Sequence, residues 1–326
     1  MAGTAVDEHP LPTKGRILLF SLMRNKLNLL SAYPVAGGVM GLCQFRNMLL
    51  ALINTALNLF SFRMNLRPDR TISNADLHLA SMHHSDKITL PTCIDASNEV
   101  IVIGDLITSV SIYSYIQNSL HETSFHPYNL WTNAIHVFDD KNIIVAAEES
   151  LLTFVVEKDK MVMQPKGAIY LGQRVNKFVK GSLVMAQVKT KYAQQAELVS
   201  QFPKSSQLIT LLPPKDIPTL IYATGNGSIG IIGVIPKTTF NYLIALKEAI
   251  VQNMNYMGNL SYNELKEGKG RLKFVEETRF VNGDLVEILL KMDKKMAEDV
   301  YNKVQYNPKP TFRDTLVLLR QLSLIH

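Results

Sequence analysis

The chain has 326 residues, of which 47% are apolar and 19% charged, and carries a net charge of +6. That length holds one large domain or two smaller ones, and the apolar share excludes a disordered chain. Two cysteines, Cys43 and Cys93, exclude a disulfide framework and suit a reducing compartment. The longest apolar stretch, 49–62, is interrupted by Asn54 and Asn58 and is too short to span a bilayer. The first residues, MAGTAVDEHPLPTKG, lack the apolar core of a signal peptide. The expectation is an intracellular protein with no membrane segment. Its lysines are spread out, so the positive charge reads as a solvated surface.

In chain order, GRILLFSL (15–22) and KLNLLSAY (26–33) flank Arg24-Asn25 and predict a hairpin. GGVMGLCQF (37–45) then leads into the first of four recurring segments. These are LLALINTALNLFSF (49–62), VIVIGDLITSVSIYSYI (100–116), IIVAAEESLLTFVVEK (143–158) and LIYATGNGSIGIIGVI (220–235). Each is an apolar run, a small or acidic break, and a run alternating apolar with polar. That pattern predicts two strands on a tight turn, the first buried on both faces and the second on one. Flanking strands at 71–80, 88–95, 122–127, 131–139 and 168–175 turn three of these hairpins into four-stranded units. VNKFVKGSLVMAQV (175–188) and the fourth hairpin supply three strands of a last unit, with an insertion at 189–217. Recurring all-β units predict a β-propeller: half a blade, three whole blades and one blade lacking its outer strand. Propellers close with about 4–8 blades, so an open ring with exposed strand edges is expected. Either another polypeptide segment completes it, or the chain is part of a longer one.

After Pro236 the period changes. TTFNYLIALKEAIVQNMNYM (238–257) puts Phe240, Leu243, Leu246 and Ile250 on one helical face, with Thr238 or Thr239 as its cap. GDLVEILLKM (283–292) with Asp284 as cap, DKKMAEDVYNKV (293–304) and TFRDTLVLLRQLSLI (311–325), started by Pro310, are also helical. In the last of these, Leu316, Leu318, Leu319 and Leu322 form a stripe expected to dock on the propeller. The predicted fold is therefore mainly β, a partial propeller over 1–235 followed by a small helical domain over 236–326.

Catalytic signals are weak. Gly225-Asn226-Gly227-Ser228-Ile229-Gly230 matches a dinucleotide-loop pattern, but β-branched residues and Pro236 follow where a helix is required. Asn226-Gly227 instead favours a hairpin turn. His83-His84 with Cys93 lacks a second ligand pair at zinc spacing, and adjacent histidines point to opposite sides of a strand. Asp139-Asp140 and Glu148-Glu149 read as solvated turn formers. No Ser, His and Asp set has a motif to anchor it. The expectation is no enzyme, no cofactor and no metal. Trp131, the single tryptophan, opens a strand after HPYNL (126–130). It reads equally as a core residue or as an anchor at a propeller rim.

GRILLF, VIVIGDL, LGQRVNKFVKGSLV, GNGSIG, VNGDLVEILL and the closing LIH, in this order, resemble the C-terminal third of the large subunit of UV-damaged DNA-binding complexes. The resemblance covers about residue 13 to the end. LWTNAIHVFDD and the terminal LIH favour that family over its two RNA-processing relatives, in cleavage and polyadenylation and in splicing. It implies four to five blades of a seven-bladed propeller, with a helical C-terminal domain. It also implies a non-catalytic adaptor of cullin–RING ubiquitin ligases in DNA damage response and repair, located in the nucleus with the cytoplasm as a second site. The implied partners are WD-repeat substrate receptors, with weak or indirect contact to DNA or RNA. The family's cullin-docking surface lies outside this stretch.

By the same resemblance, Trp131 matches a tryptophan lining the receptor groove, Asn176 an asparagine before F-x-x-G-S-L-V, and Leu106 a leucine after Gly104-Asp105. Four positions depart. Thr108 stands where the family has a basic residue, Arg174 replaces an aromatic, Met40 a tyrosine and Gly225 a small branched residue. An alternative reading, supported by the basic charge, is a nucleic-acid-processing scaffold like the RNA-side relatives. Salt-dependent RNA binding would separate the two.

Overall fold

The computed structural model describes residues 11–23, 25–66, 72–157, 160–182, 217–253 and 279–323. Strands β1 (Gly15–Met23) and β2 (Lys26–Val35) form a two-stranded sheet. β3 (Val39–Phe45), β4 (Met48–Ile53), β5 (Ala56–Leu66) and β6 (Ile72–His84) make the first four-stranded blade. β7 (Pro91–Ala96), β8 (Val100–Asp105), β9 (Ser109–Ile116) and β10 (Ser119–Phe125) make the second. β11 (Thr132–Val137), β12 (Asn142–Ala147), β13 (Ser150–Val155) and β14 (Pro165–Tyr170) make the third. β15 (Val175–Lys180), β16 (Thr219–Thr224) and β17 (Ile229–Gly233) form a three-stranded sheet. The molecule is thus mainly β, with propeller-like blades in the number and strand count read from the repeats.

Turn chemistry explains why the repeats fold this way. Asn25, Asn54 and Glu148 each take a positive φ at a hairpin, and Gln117-Asn118 do so together at the β9–β10 turn. Two successive left-handed residues match the twist of the flanking strands. In the fourth repeat, Thr224 N–H donates to Ser228 O at 2.9 Å and Gly227 takes φ 85°. Strand β17 follows at once and pairs back with β16. The glycine pattern is a hairpin turn, as predicted.

Packing of blade on blade buries the middle strands. Phe45, Leu50, Leu52, Leu57 and Leu59 of the first blade meet Ile101, Ile103, Tyr113 and Leu120 of the second. Ile17, Leu19, Tyr33 and Val35 of β1–β2 pack on Ala51, Ile53, Phe60 and Leu77 of the first blade. β8 is buried along its whole length, as expected of a strand covered on both faces. β9 departs from the expected one-sided burial: Ser109 and Ser111 are buried too, because a neighbouring blade covers its polar face.

Inner strands are joined by polar pins. Asp95 on β7 receives His136 Nδ1 of β11 at 2.8 Å and Val137 N–H at 2.9 Å. Burial works to raise the Asp95 carboxyl, but the His136 bond and the N–H groups of Val137 and Ala96 hold it below its ordinary value.

Contacts divide the chain into two compact units: Met1–Gly167 with Leu171–Lys177, and Ala168–Tyr170 with Phe178–His326. The second holds helices α1 (Lys237–Asn253), α2 (Gly283–Lys291), α3 (Lys294–Lys303) and α4 (Phe312–Leu322). Residues 183–188 and 254–257, also read as strand and helix, lie outside the described residues. Leu243, Leu246 and Ile250 of the expected α1 face are buried, joined by Tyr242, whose hydroxyl is 2.5 Å from Thr315 Oγ1. The caps differ from expectation. Pro236 O already accepts from Phe240 N–H, so Thr238 and Thr239 fall inside the first turn. Asn282 caps α2, leaving Asp284 in its first turn, and Thr311 with Asp314 forms a capping box on α4. The α4 stripe buries Leu318 and Leu319 among Leu246, Leu285 and Val300, so its partner is the other helices.

Two outcomes follow from this packing. Leu319→Asp places a charge in the helical core and should cost several kcal/mol in chemical denaturation. Asp95 titrates below its ordinary 3.8, so its interactions stabilise the fold above that pH and are lost as the pH falls through the lower folded value. Thermal melts from about pH 5 to pH 3 should fall less steeply for Asp95→Asn than for the wild type.

Candidate partner-binding rim

One corner of the first unit is organised by a carboxylate. Asp105 ends β8 and is fully buried. Its Oδ2 accepts Thr89 N–H at 2.8 Å and Leu90 N–H at 2.7 Å, and its Oδ1 accepts Ile107 N–H at 2.7 Å and Thr108 N–H at 3.0 Å. Four N–H donors satisfy a charge that would otherwise be costly to bury. Leu106 N–H donates to Leu90 O at 3.0 Å, and Thr108 Oγ1 donates to Lys87 O at 2.6 Å. The β8–β9 turn and the 86–90 loop are therefore one rigid piece. It holds Leu106 half-buried and Ile107 exposed.

The third blade joins at the same corner. Thr92 Oγ1 reaches both Thr132 O at 2.6 Å and Gly104 O at 3.1 Å. A Cβ on Gly104 would lie 2.5 Å from Cys93 Sγ and from Thr132 Cγ2, so only glycine permits this approach. Trp131 directly precedes Thr132, and its carbonyl accepts Glu148 N–H at 2.9 Å. Trp131 is 48% exposed, so it is not a core residue. The Arg174 guanidinium lies over the indole, 5.4 Å from its centroid. Leu171 and Gly172 N–H groups donate to Glu149 O, which brings that loop beside the β12–β13 turn. Asn176, two residues beyond Arg174, stands exposed at the start of β15. Leu106 and Trp131 are thus tied to one corner through Leu90, Thr92 and Thr132, and Asn176 follows Arg174 by two residues.

Sequence reasoning missed two neighbours. Tyr128 is exposed on the β10–β11 loop, which His126 shapes from below. His126 is buried, its Nδ1 lies 2.9 Å from Tyr128 O, and its ring meets Phe154 edge-on at 5.4 Å. Burial lowers the His126 pKa, with the Tyr128 carbonyl opposing. Ile107 is the other. The signal was present in its place beside Leu106, one turn position further on. Leu90, Ile107, Tyr128 and Trp131 are each exposed.

The four departures have distinct surroundings. Thr108 spends its hydroxyl on the 86–90 loop, and Arg174 stacks on Trp131. Met40 is an exposed β3 residue, and Gly225 lies in the exposed β16–β17 turn of the second unit. The other motifs take structural roles. His83 packs on Tyr113 with ring centroids 5.4 Å apart, while His84 is exposed. Asp139 accepts Lys141 and Asn142 N–H groups, and Asp140 accepts Glu99 N–H at 3.1 Å. Burial pushes the Cys43 and Cys93 thiols up to about 11, so both stay protonated and un-nucleophilic near neutrality. Among the described residues no group of three or more His, Cys, Asp or Glu side chains could hold a metal ion. No helix of the described residues is long and apolar enough to cross a membrane.

Residues 1–291 match the family model described as the CPSF A subunit region. The chain belongs to this family. It is 30% identical over 311 residues to DNA damage-binding protein 1 of Oryza sativa subsp. japonica, an alignment covering 91% of this chain and 26% of that protein. DNA damage-binding protein 1a of Arabidopsis thaliana is 29% identical over 311 residues, with the same coverage. DNA damage-binding protein 1 of Solanum lycopersicum is 29% identical over 314 residues. The resemblance read from the ordered motifs is thereby borne out. The chain spans about a quarter of the length of these relatives, 26% in each case.

The rim's dependence on Asp105 is testable. Asp105→Asn puts an NH2 group against N–H donors and should destabilise the first unit by about 3 kcal/mol. Denaturant titration of the two proteins measures it; an unchanged midpoint would show that the four bonds do not hold this corner.

Proposed function

We propose that this chain is a non-catalytic adaptor that docks substrate receptors of a cullin–RING ubiquitin ligase in the DNA damage response. The observation carrying this reading is Trp131, an indole left half exposed at the junction of two blades whose backbone is pinned on both sides. Rigid, exposed aromatics surrounded by apolar neighbours are the residues that dominate protein interfaces. Leu106 and Asn176, on the same rim, are its partners in the proposed groove. The damage-binding names of the relatives and the family membership support the biological setting. The occupants proposed are WD-repeat substrate receptors, engaged in the nucleus. Cullin docking is assigned to parts of the assembly other than this stretch. No catalytic step is assigned: burial raises both thiols, and the Asp105 and Asp139 carboxylates accept backbone N–H groups.

Trp131→Ala should weaken binding of a WD-repeat receptor by about 2 kcal/mol, roughly thirtyfold, as central aromatic anchors do. Asn176→Ala should weaken it less. Thermal stability should change little in either, because both side chains are exposed. Calorimetric titration with unfolding controls checks this. A Trp131→Ala protein that binds the receptor as wild type does, with intact fold, would remove the adaptor assignment from this rim.

A further inference from the structure

Arg174 is an exposed cation beside the exposed Trp131. Its guanidinium lies over the Trp131 ring, 5.4 Å from the centroid. The neighbouring acids of the β12–β13 turn, Glu148 and Glu149, have other interactions. Among the described residues Arg174 makes no salt bridge. An exposed arginine beside an indole leaves its N–H groups available to a bidentate acceptor. Stacking also lowers the entropy lost when such a bond forms. Leu90 and Ile107 are exposed on the loop and turn joined at the same corner as Trp131, and Tyr128 is exposed on the β10–β11 loop. A partner covering the rim must therefore bury hydrocarbon and offer an acceptor to a cation within the same footprint. An amphipathic protein segment with a carboxylate flanking its apolar face meets both demands. A nucleic acid strand would meet the cation but leave the aliphatic side chains uncompensated.

We infer that Arg174 is the specificity-determining residue of the rim, selecting partner segments that place an Asp or Glu beside a large apolar anchor. The inference rests on the adaptor reading above and deepens it. A segment bearing Lys or Arg at that position meets repulsion instead of a bond.

The test is selection of a random peptide library displayed on phage against the immobilised full chain, in wild-type, Arg174→Glu, Arg174→Gln and Trp131→Ala forms. All four must first show matching thermal melts, which the exposure of both side chains makes the expected result. Wild type should enrich peptides with an acidic residue at a constant offset from a Leu, Phe or Trp. Arg174→Glu should enrich Lys or Arg at that offset, and Arg174→Gln should lose the charge bias. Affinity of a selected acidic peptide, read by fluorescence anisotropy, should fall about tenfold in Arg174→Gln. If Trp131→Ala abolishes selection while Arg174→Glu keeps the acidic bias, the docking rim stands and the role given to Arg174 falls. If Trp131→Ala enriches the same peptides as wild type, the rim reading falls and takes this inference with it. Enrichment of no peptide, together with oligonucleotide binding that Arg174→Glu abolishes, would likewise overturn it.

Discussion

Four backbone N–H groups converge on the Asp105 carboxylate, and the rest of the rim depends on that convergence. The bonds come from two separate segments, the 86–90 loop and the 106–108 turn, which would otherwise be independent loops. Once these share a carboxylate, β7 and the β8–β9 turn cannot move apart without leaving a buried charge unpaired. Gly104, one residue earlier, admits Thr132 at a distance no Cβ allows, and Thr92 bridges both carbonyls. Trp131 is then held by the backbone on either side of it while its ring faces solvent. An exposed aromatic so placed has little freedom left to lose on contact.

The blades supply what a single hairpin lacks. Face-to-face packing covers both sides of the middle strands, so even the serines of β9 are buried. Cross-blade polar pins, Asp95 with His136 and Ser97 with Asp140, add directionality to an otherwise apolar contact. Together they make the rim a property of several blades at once. Leu106 and Trp131 come to one corner because β8 ends beside the start of β7, and the start of β7 is bonded to the start of β11.

Strand count and order were legible because each hairpin carries its own period and its own turn residues. The two-, four-, four-, four- and three-stranded sheets follow the four repeats and their flanks. Helix caps were less legible. Thr238 looked like a cap by residue type, but Pro236 set the helix start earlier. The stripe on α4 was correct as a stripe, while its partner could not be read from one helix alone: Leu318 and Leu319 pack among residues as distant in the chain as Leu246. At the rim, Trp131 was visible as a lone aromatic, yet its exposure hinges on the turn at Glu148 and the approach at Gly104. Arg174 was visible only as a departure from the family pattern. Its stack on Trp131 joins positions 43 apart, a contact that no local period encodes.

The central claim is that partners are received at the rim formed by the β8–β9 turn, the β10–β11 loop and the start of β15. Hydrogen–deuterium exchange of the full chain, alone and saturated with a recombinant WD-repeat receptor, tests it most directly. The account predicts added protection across residues 86–90, 104–109, 126–132 and 171–177. Exchange in helices α1 to α4 should be unchanged. Protection confined to the helices, or to the strand edges away from Trp131, would contradict it.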